Sequence, residues 1–144
     1  MISIEIKTSG PDLEQVAQKL AGPVRQRFIE MLADITYNTM RELAPVRSGF
    51  MRESISKSVG EGEATVGPAD PKAVFVEYGT MPHVIYPVNA SCLAFFAGGR
   101  MVFAAYVNHP GTRPQPFVRY AAEEAVRSAP ALWKEAAEEL AQLG

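Results

Sequence analysis

Between Val24 and Leu43, apolar side chains return at the three-to-four-residue interval of an α-helix: Val24, Phe28, Met31, Leu32, Ile35, Met40 and Leu43. One face of residues 23–43 is therefore apolar, and the period predicts a helix there. Pro23 suits its first turn, where a missing N–H costs little. A shorter helical run, DLEQVAQKL at residues 12–20, is predicted to end at Gly22. Ahead of both, Ile2, Ile4 and Ile6 alternate with Ser3, Glu5 and Lys7, which is the period of a strand. Ser9-Gly10-Pro11-Asp12 then breaks the chain.

Ala44-Pro45 stops the long helix, and RSGF forms a hinge into MRESISKSV, which reads as a strand. GEGE at 60–63 turns the chain and ATVG returns it. KAVFVEYGT and HVIYPV are two further apolar segments within a run of strands. SCLAFFA and RMVFAAYV, joined by Gly98-Gly99, carry the signature of a β-hairpin. Residues 117–128 and 131–143 read as helical, with Pro130 allowing a break or kink. Phe117, Ala121, Val126, Leu132, Trp133, Ala137 and Leu140 can supply their buried face. Strand, helices, a run of strands and a last helix predict an α+β fold. Its antiparallel β-sheet would pack against a long N-terminal helix and a C-terminal helix, as one domain over residues 1–144.

Composition narrows the classes of function. With 144 residues, 47% hydrophobic and 21% charged, the chain has an ordinary globular balance and enough length for a core. A formal net charge of −2 argues against a dedicated nucleic-acid binder, which needs a basic surface. The single cysteine, Cys92, leaves no internal disulfide framework and suits a reducing cytosol. MISIEIKTSG alternates apolar and polar residues and lacks the apolar core of a signal peptide. The most apolar window, CLAFFAGGRMVFAAYV, is interrupted by Gly98, Gly99 and Arg100 and is too short to span a bilayer. A soluble protein without a membrane partner is expected.

No stretch carries recognisable catalytic chemistry. His83 and His109 each adjoin a proline; with Glu77 or Asp70 they make no zinc spacing and nothing like HExxH. They read as surface or packing histidines. Cys92 lies among apolar residues with no adjacent base, and is expected to be buried and inert. RSG at 47–49 and GTM at 79–81 lack the spacing of a phosphate loop or a nucleophile elbow. Glu77, in an apolar segment beside Tyr78, is expected at an edge or in an interface salt bridge. No enzyme, metal or cofactor is expected.

The charges are segregated. The last 24 residues hold Glu123, Glu124, Glu135, Glu138 and Glu139 against Arg127 and Lys134, while Arg41, Arg47, Arg52 and Lys57 outnumber Glu42 and Glu53 over 41–57. A solvated helix face accounts for the acidic end; opposite-sign patches on one small domain also suit head-to-tail contacts between copies.

The segment HPGTRPQPF at 109–117 places three prolines and a glycine between an aromatic-rich stretch and a helix. Pro110, Pro114 and Pro116 restrict the backbone, so this loop loses little conformational freedom on docking. Pro116 stands near the start of the last helix, Phe117 would anchor it in the core, and Arg113 is left to reach a partner's carboxylate. A structural elbow, whether internal or at an interface, is the reading of this loop in preference to a catalytic loop.

Several separated stretches together resemble one family. APVRSGFMRESI (44–55), FVEYGT (75–80), HVIYPVNASCLAFF (83–96) and VNHPGTRPQPFVRYA (107–121) resemble, in order and spacing, the small head–tail joining and tail-completion proteins of long-tailed bacteriophages. The resemblance runs from about residue 24 to about residue 125; Phe50 and Met51 stand where a single Leu after a variable residue is commoner. Prophages and gene transfer agents carry such genes too.

The resemblance implies a structural virion protein of the phage neck, a tail-completion or tail-terminator subunit. Such a subunit forms a ring, expected to be hexameric, between the head connector or stopper protein and the major tail-tube protein. DNA passes through its lumen without specific binding, so the lumen is expected to be neutral or acidic, with Glu61 and Glu63 of the GEGE turn, or the carboxylates of the last helix, as candidates. Its place is the virion neck, and the host cytoplasm during assembly. The expected interface residues are Arg47, Arg52, Glu77, His109, Arg113 and Gln115; SGFMRESI is either a plain connector or a pivot that reorders when the ring meets its partner. A cytosolic α+β binding or regulatory module, acting as monomer or dimer, is the alternative.

Overall fold

The computed structural model describes residues 2–7 and 14–143. The fold is α+β, and every strand pairing in it is antiparallel. Strand β1 (Ile4–Lys7) pairs with β3 (Glu63–Pro68), which also pairs with β2 (Ile55–Val59), giving the order β1-β3-β2. The alternation of Ile2, Ile4 and Ile6 works as expected: Ile6 is buried, and Ile2 and Ile4 pack against the same core. The central strand is the most buried, with Ala64, Val66, Gly67 and Pro68 all inside.

Helix α1 (Glu14–Leu43) lies between this sheet and helix α4 (Phe117–Gln142). Ile29, Leu32, Ala33, Thr36 and Met40, spaced three and four apart, are buried along it. Being covered on two sides, α1 buries more of its circumference than a surface helix, which explains the polar Thr36 within its core. The Thr36 hydroxyl donates to the Leu32 carbonyl at 2.6 Å and is thereby satisfied. Phe28 meets Trp133 of α4 edge-on, with centroids 5.3 Å apart. Leu43, expected on the apolar face, is 45% exposed at the end of the helix.

The break expected at Gly22-Pro23 is absent: α1 runs through Pro23, and α4 runs through Pro130. A proline removes one helical hydrogen bond but its φ remains helical, so packing on either side can carry the helix across. Residues 8–13, holding the expected SGPD break and the start of the first helical run, lie outside the described residues.

Helix α4 approaches α1 through small side chains: Ala121, Ala125 and Ala136 are buried with Phe117 and Val118. Val126, expected inside, is 76% exposed, and Trp133 is 42% exposed. The buried stripe follows the alanines instead, because they permit the close approach. Arg27 of α1 and Glu139 of α4 tie the layers with a 2.7 Å ion pair.

Two segments expected as strand are helical. Phe50–Glu53 forms a helical turn, α2, before β2 begins. Ala73–Tyr78, within KAVFVEYGT, is a short helix α3. It starts after an Asp70 turn in which the Asp70 carboxylate accepts the Lys72 N–H at 2.9 Å and the Asp70 carbonyl accepts the Ala73 N–H at 3.0 Å. Helical spacing puts Ala73 and Glu77 on one buried face and leaves Val74, Phe75 and Tyr78 exposed. Local turn chemistry and that burial override the strand preference of Val, Phe and Tyr.

Two further ladders lie apart from the three-stranded sheet. Strands β4 (His83–Ile85) and β7 (Val107–His109) pair with each other, and β5 (Leu93–Ala97) pairs with β6 (Arg100–Ala104) through the Gly98-Gly99 turn expected from the sequence.

Candidate assembly interface

FVEYGT and HPGTRPQPF, more than thirty residues apart, meet in space. Thr80 and Thr112 form an isolated antiparallel bridge: the Thr80 N–H donates to the Thr112 carbonyl at 3.1 Å, and the Thr112 N–H to the Thr80 carbonyl at 3.0 Å. Their hydroxyls lie 3.1 Å apart. The Gln115 N–H adds a bond to the Val76 carbonyl at 2.8 Å. Gly79 and Gly111 both have positive φ, and neither position has room for a side chain. A Cβ at Gly111 would stand 2.3 Å from the Thr80 carbonyl oxygen; one at Gly79 would stand 2.5 Å from that of Thr112.

Glu77 completes this clamp from below. It is 5% exposed, and its two carboxylate oxygens accept the N–H groups of Val118 and Arg119, each at 2.9 Å. These are orphan donors in the first turn of α4, where the helix dipole also favours a negative charge. The edge or interface ion pair expected for Glu77 is thus replaced by an internal cap. Pro116 precedes the helix and Phe117 is 1% exposed, the core anchor expected of it. HPGTRPQPF is an elbow that joins α3 to the start of α4.

From this clamp the chain leaves as an arm. Next to the Thr80–Thr112 bridge, the β4–β7 ladder places His83 opposite His109, with the rings stacked 5.0 Å apart. The His83 Nδ1 lies 2.8 Å from the Met81 carbonyl, and the His109 Nδ1 accepts the Gly111 N–H at 3.0 Å. Tyr86 and Tyr106 face each other further out, at 6.2 Å. The β5–β6 hairpin forms the end.

The arm is apolar where water should be. A two-stranded ribbon with solvent on one side normally alternates apolar-in with polar-out. Here the register puts Ala94 opposite Phe103 and Phe96 opposite Met101 on one face, and Phe96, Phe103 and Met101 are 71%, 67% and 54% exposed. Leu93, Phe95, Val102 and Ala104 on the other face are apolar too. Arg100 is the only charged residue between Met81 and Thr112. Cys92, expected to be buried, is half-buried at the start of this hairpin.

The other expected interface residues are scattered around this root and beyond it. Arg113 and Gln115 are exposed on the elbow, and His109 is half-buried in the stacked pair. Arg47 is exposed in the loop after α1. Arg52 is held: its Nε donates to the Arg41 carbonyl at 3.0 Å, and an Arg41 Nη donates to the Arg52 carbonyl at 3.1 Å. This reciprocal pair pins α2 to the end of α1. The sequence pattern did not single out the exposed hairpin face, because apolar alternation on both faces reads simply as buried strand.

A broad open cleft of about 1000 Å³ lies between α1 and the β2–β3 turn, bordered by Arg25, Gln26, Glu30 and Glu61. Gln26 there donates to the Gly60 carbonyl at 3.1 Å and accepts the Gly62 N–H at 3.0 Å, so its amide holds the turn in place. Among the described residues, no group of three or more His, Cys, Asp and Glu is placed to hold a metal ion. Among them, too, no helix is long and apolar enough to cross a membrane.

Compared with known proteins, the chain has no significant match to a family model, a curated protein or a solved structure.

Proposed function

We propose that this chain is a structural assembly subunit of the neck of a long-tailed phage or a phage-derived particle such as a gene transfer agent. It completes the tail end and joins it to the head connector as a ring, with sixfold symmetry, through which DNA passes. The observation that carries this reading is the apolar arm on a rigid root. A small domain with two apolar hairpin faces and a single charge over thirty residues is suited to burial against another chain. The root restricts the arm's direction before it docks, which lowers the entropic cost of association. The resemblance of the four sequence stretches supplies the setting, and two of those stretches build the root itself.

Exposed carboxylates at Glu61 and Glu63 of the β2–β3 turn suit a wall that DNA must slide past without holding. Cryo-electron microscopy of the intact neck of a particle carrying this gene tests the proposal. A sixfold ring of this chain between connector and tube is expected; a monomer or dimer at that position, or absence from the particle, would sink it.

A further inference from the structure

We infer that the stacked His83–His109 pair is a proton-sensitive latch: charging His109 removes the acceptor that holds the Gly111 turn and frees the arm from the body of the domain. The inference concerns the single chain and stands apart from the proposed ring.

The two rings are wired differently. A carbonyl oxygen can only accept, so the 2.8 Å contact between His83 Nδ1 and the Met81 carbonyl requires a proton on Nδ1. His83 then takes its second proton on Nε2 and keeps that bond. His109 has the reverse arrangement. Its Nδ1 accepts the Gly111 N–H at 3.0 Å, so the neutral ring carries its hydrogen on Nε2. An imidazolium donates from both nitrogens, and its Nδ1–H would point at the Gly111 N–H. The charged form of His109 cannot make the contact on which the folded root depends.

The turn has little room to adapt. Gly111 has φ of +83°, and the Thr80 carbonyl, Met81 and Pro82 crowd it on the side where a Cβ would stand. Relief comes from the His109 ring leaving the stack or from the turn opening. Gly111 precedes Thr112, whose N–H and carbonyl make the bridge to Thr80, so an open turn loosens the bridge as well.

No neighbouring charge offsets a proton on this pair. The titratable group opposite His109 is His83, its ring 5.0 Å away and tilted by 28°, so charging both sets two cations face to face. Among the described residues, neither ring is paired with a carboxylate. On α3, the Glu77 carboxylate is taken up by the Val118 and Arg119 N–H groups. Arg113 on the elbow and Arg100 at the far turn of the arm are themselves cations. Opening lets His109 take up a proton that the closed root does not hold. The open form therefore binds more protons, and the root loses stability as pH falls through the histidine range, about 7 to 5.

NMR of the imidazole nitrogens and of amide exchange in the full chain tests this. At neutral pH, His83 should carry its proton on Nδ1 and His109 on Nε2. Acidification through the histidine range should lower the protection of Gly111, Thr80 and Thr112 about tenfold or more, after correction for intrinsic exchange, as expected for loss of one hydrogen bond. Protection of Ile29 and Met40 in α1 should not change. In His109→Asn, the carboxamide oxygen can accept the N–H two residues on without titrating, so the root should stay closed over the same range. His83→Gln leaves the Gly111 acceptor in place and should retain the acid response. A proton on Nδ1 of His109 at neutral pH, an unchanged root in the acidified wild type, or loss of α1 together with the root would each overturn the inference. So would an acid response that persists in His109→Asn or disappears in His83→Gln.

Discussion

Thr80 and Thr112 face each other at the root of the arm, exchanging both backbone hydrogen bonds, at 3.1 and 3.0 Å, with their hydroxyls 3.1 Å apart. Above the bridge lies an exposed apolar hairpin; below it lie the Glu77 cap and the Phe117 anchor. The bridge therefore couples the direction of the arm to the core of the domain.

Gly111→Ala should loosen that coupling. The new Cβ would meet the Thr80 carbonyl at 2.3 Å in a residue with φ of +83°, so the bridge must shift. The expected cost is on the order of 1–3 kcal/mol. Faster amide exchange at Thr80 and Thr112 should accompany it, with α1 unaffected. Gly98→Ala is the control: its φ is also positive, at +58°, but nothing lies within 4 Å, so a smaller loss is expected and the root should stay protected. Equal exchange at the root in both variants would contradict the clamp.

Glu77→Ala should lower the melting temperature by leaving the N–H groups of Val118 and Arg119 without an acceptor, a loss of about 1–3 kcal/mol. Glu77→Gln is the sharper test. An amide offers one acceptor and turns an N–H toward the second donor, so it should rescue little of the loss. A wild-type melt for the glutamine variant would show that the carboxylate fork is not the cap.

Arg113→Ala and Phe117→Ala should separate assembly from stability. Arg113 is exposed on the elbow, so its truncation should leave the thermal melt unchanged while tail attachment falls in a phage complementation assay. Phe117 is 1% exposed, and removing it should cost roughly 3–5 kcal/mol in the free protein. Full attachment by the arginine variant would remove that side chain from the interface.

The Arg27–Glu139 pair should make stability depend on pH. The guanidinium hydrogen bond holds the Glu139 carboxyl below its ordinary range, and the carboxylate holds the guanidinium above its own. A carboxyl with a depressed folded pKa stabilises the fold above its unfolded pKa, and that contribution vanishes as pH falls through the folded value. Glu139→Gln should therefore melt below the wild type at neutral pH. The two curves should converge once the medium is more acidic than the usual carboxylate range. Because both side chains are partly exposed, salt should shrink the difference. A difference that persists at low pH would point to packing rather than charge.

Much of the scaffold was legible in the residues. The three-and-four spacing of α1, the alternation of Ile2, Ile4 and Ile6, the Gly98-Gly99 hairpin and the anchoring of Phe117 each follow from a periodicity or a turn preference that acts over a few residues. Such signals are local, and a short stretch of sequence contains everything that sets them.

Other features arise only when distant segments meet. KAVFVEYGT has the residues of a strand, yet the Asp70 turn and the burial of Ala73 with Glu77 make it helical. Glu77 reads as an isolated acid until the first turn of α4, some forty residues on, presents two bare N–H groups to it. Gly22-Pro23 reads as a boundary between two helices and Pro130 as a break or kink, yet α1 and α4 each run through their proline. Val126 fits an apolar period, while the alanines of α4 take the buried side because α1 approaches closely there. Periodicity by itself determined which residues share a face; only the tertiary structure decided which faces are covered and which, as on the β5–β6 hairpin, are left bare, because burial depends on what lies opposite.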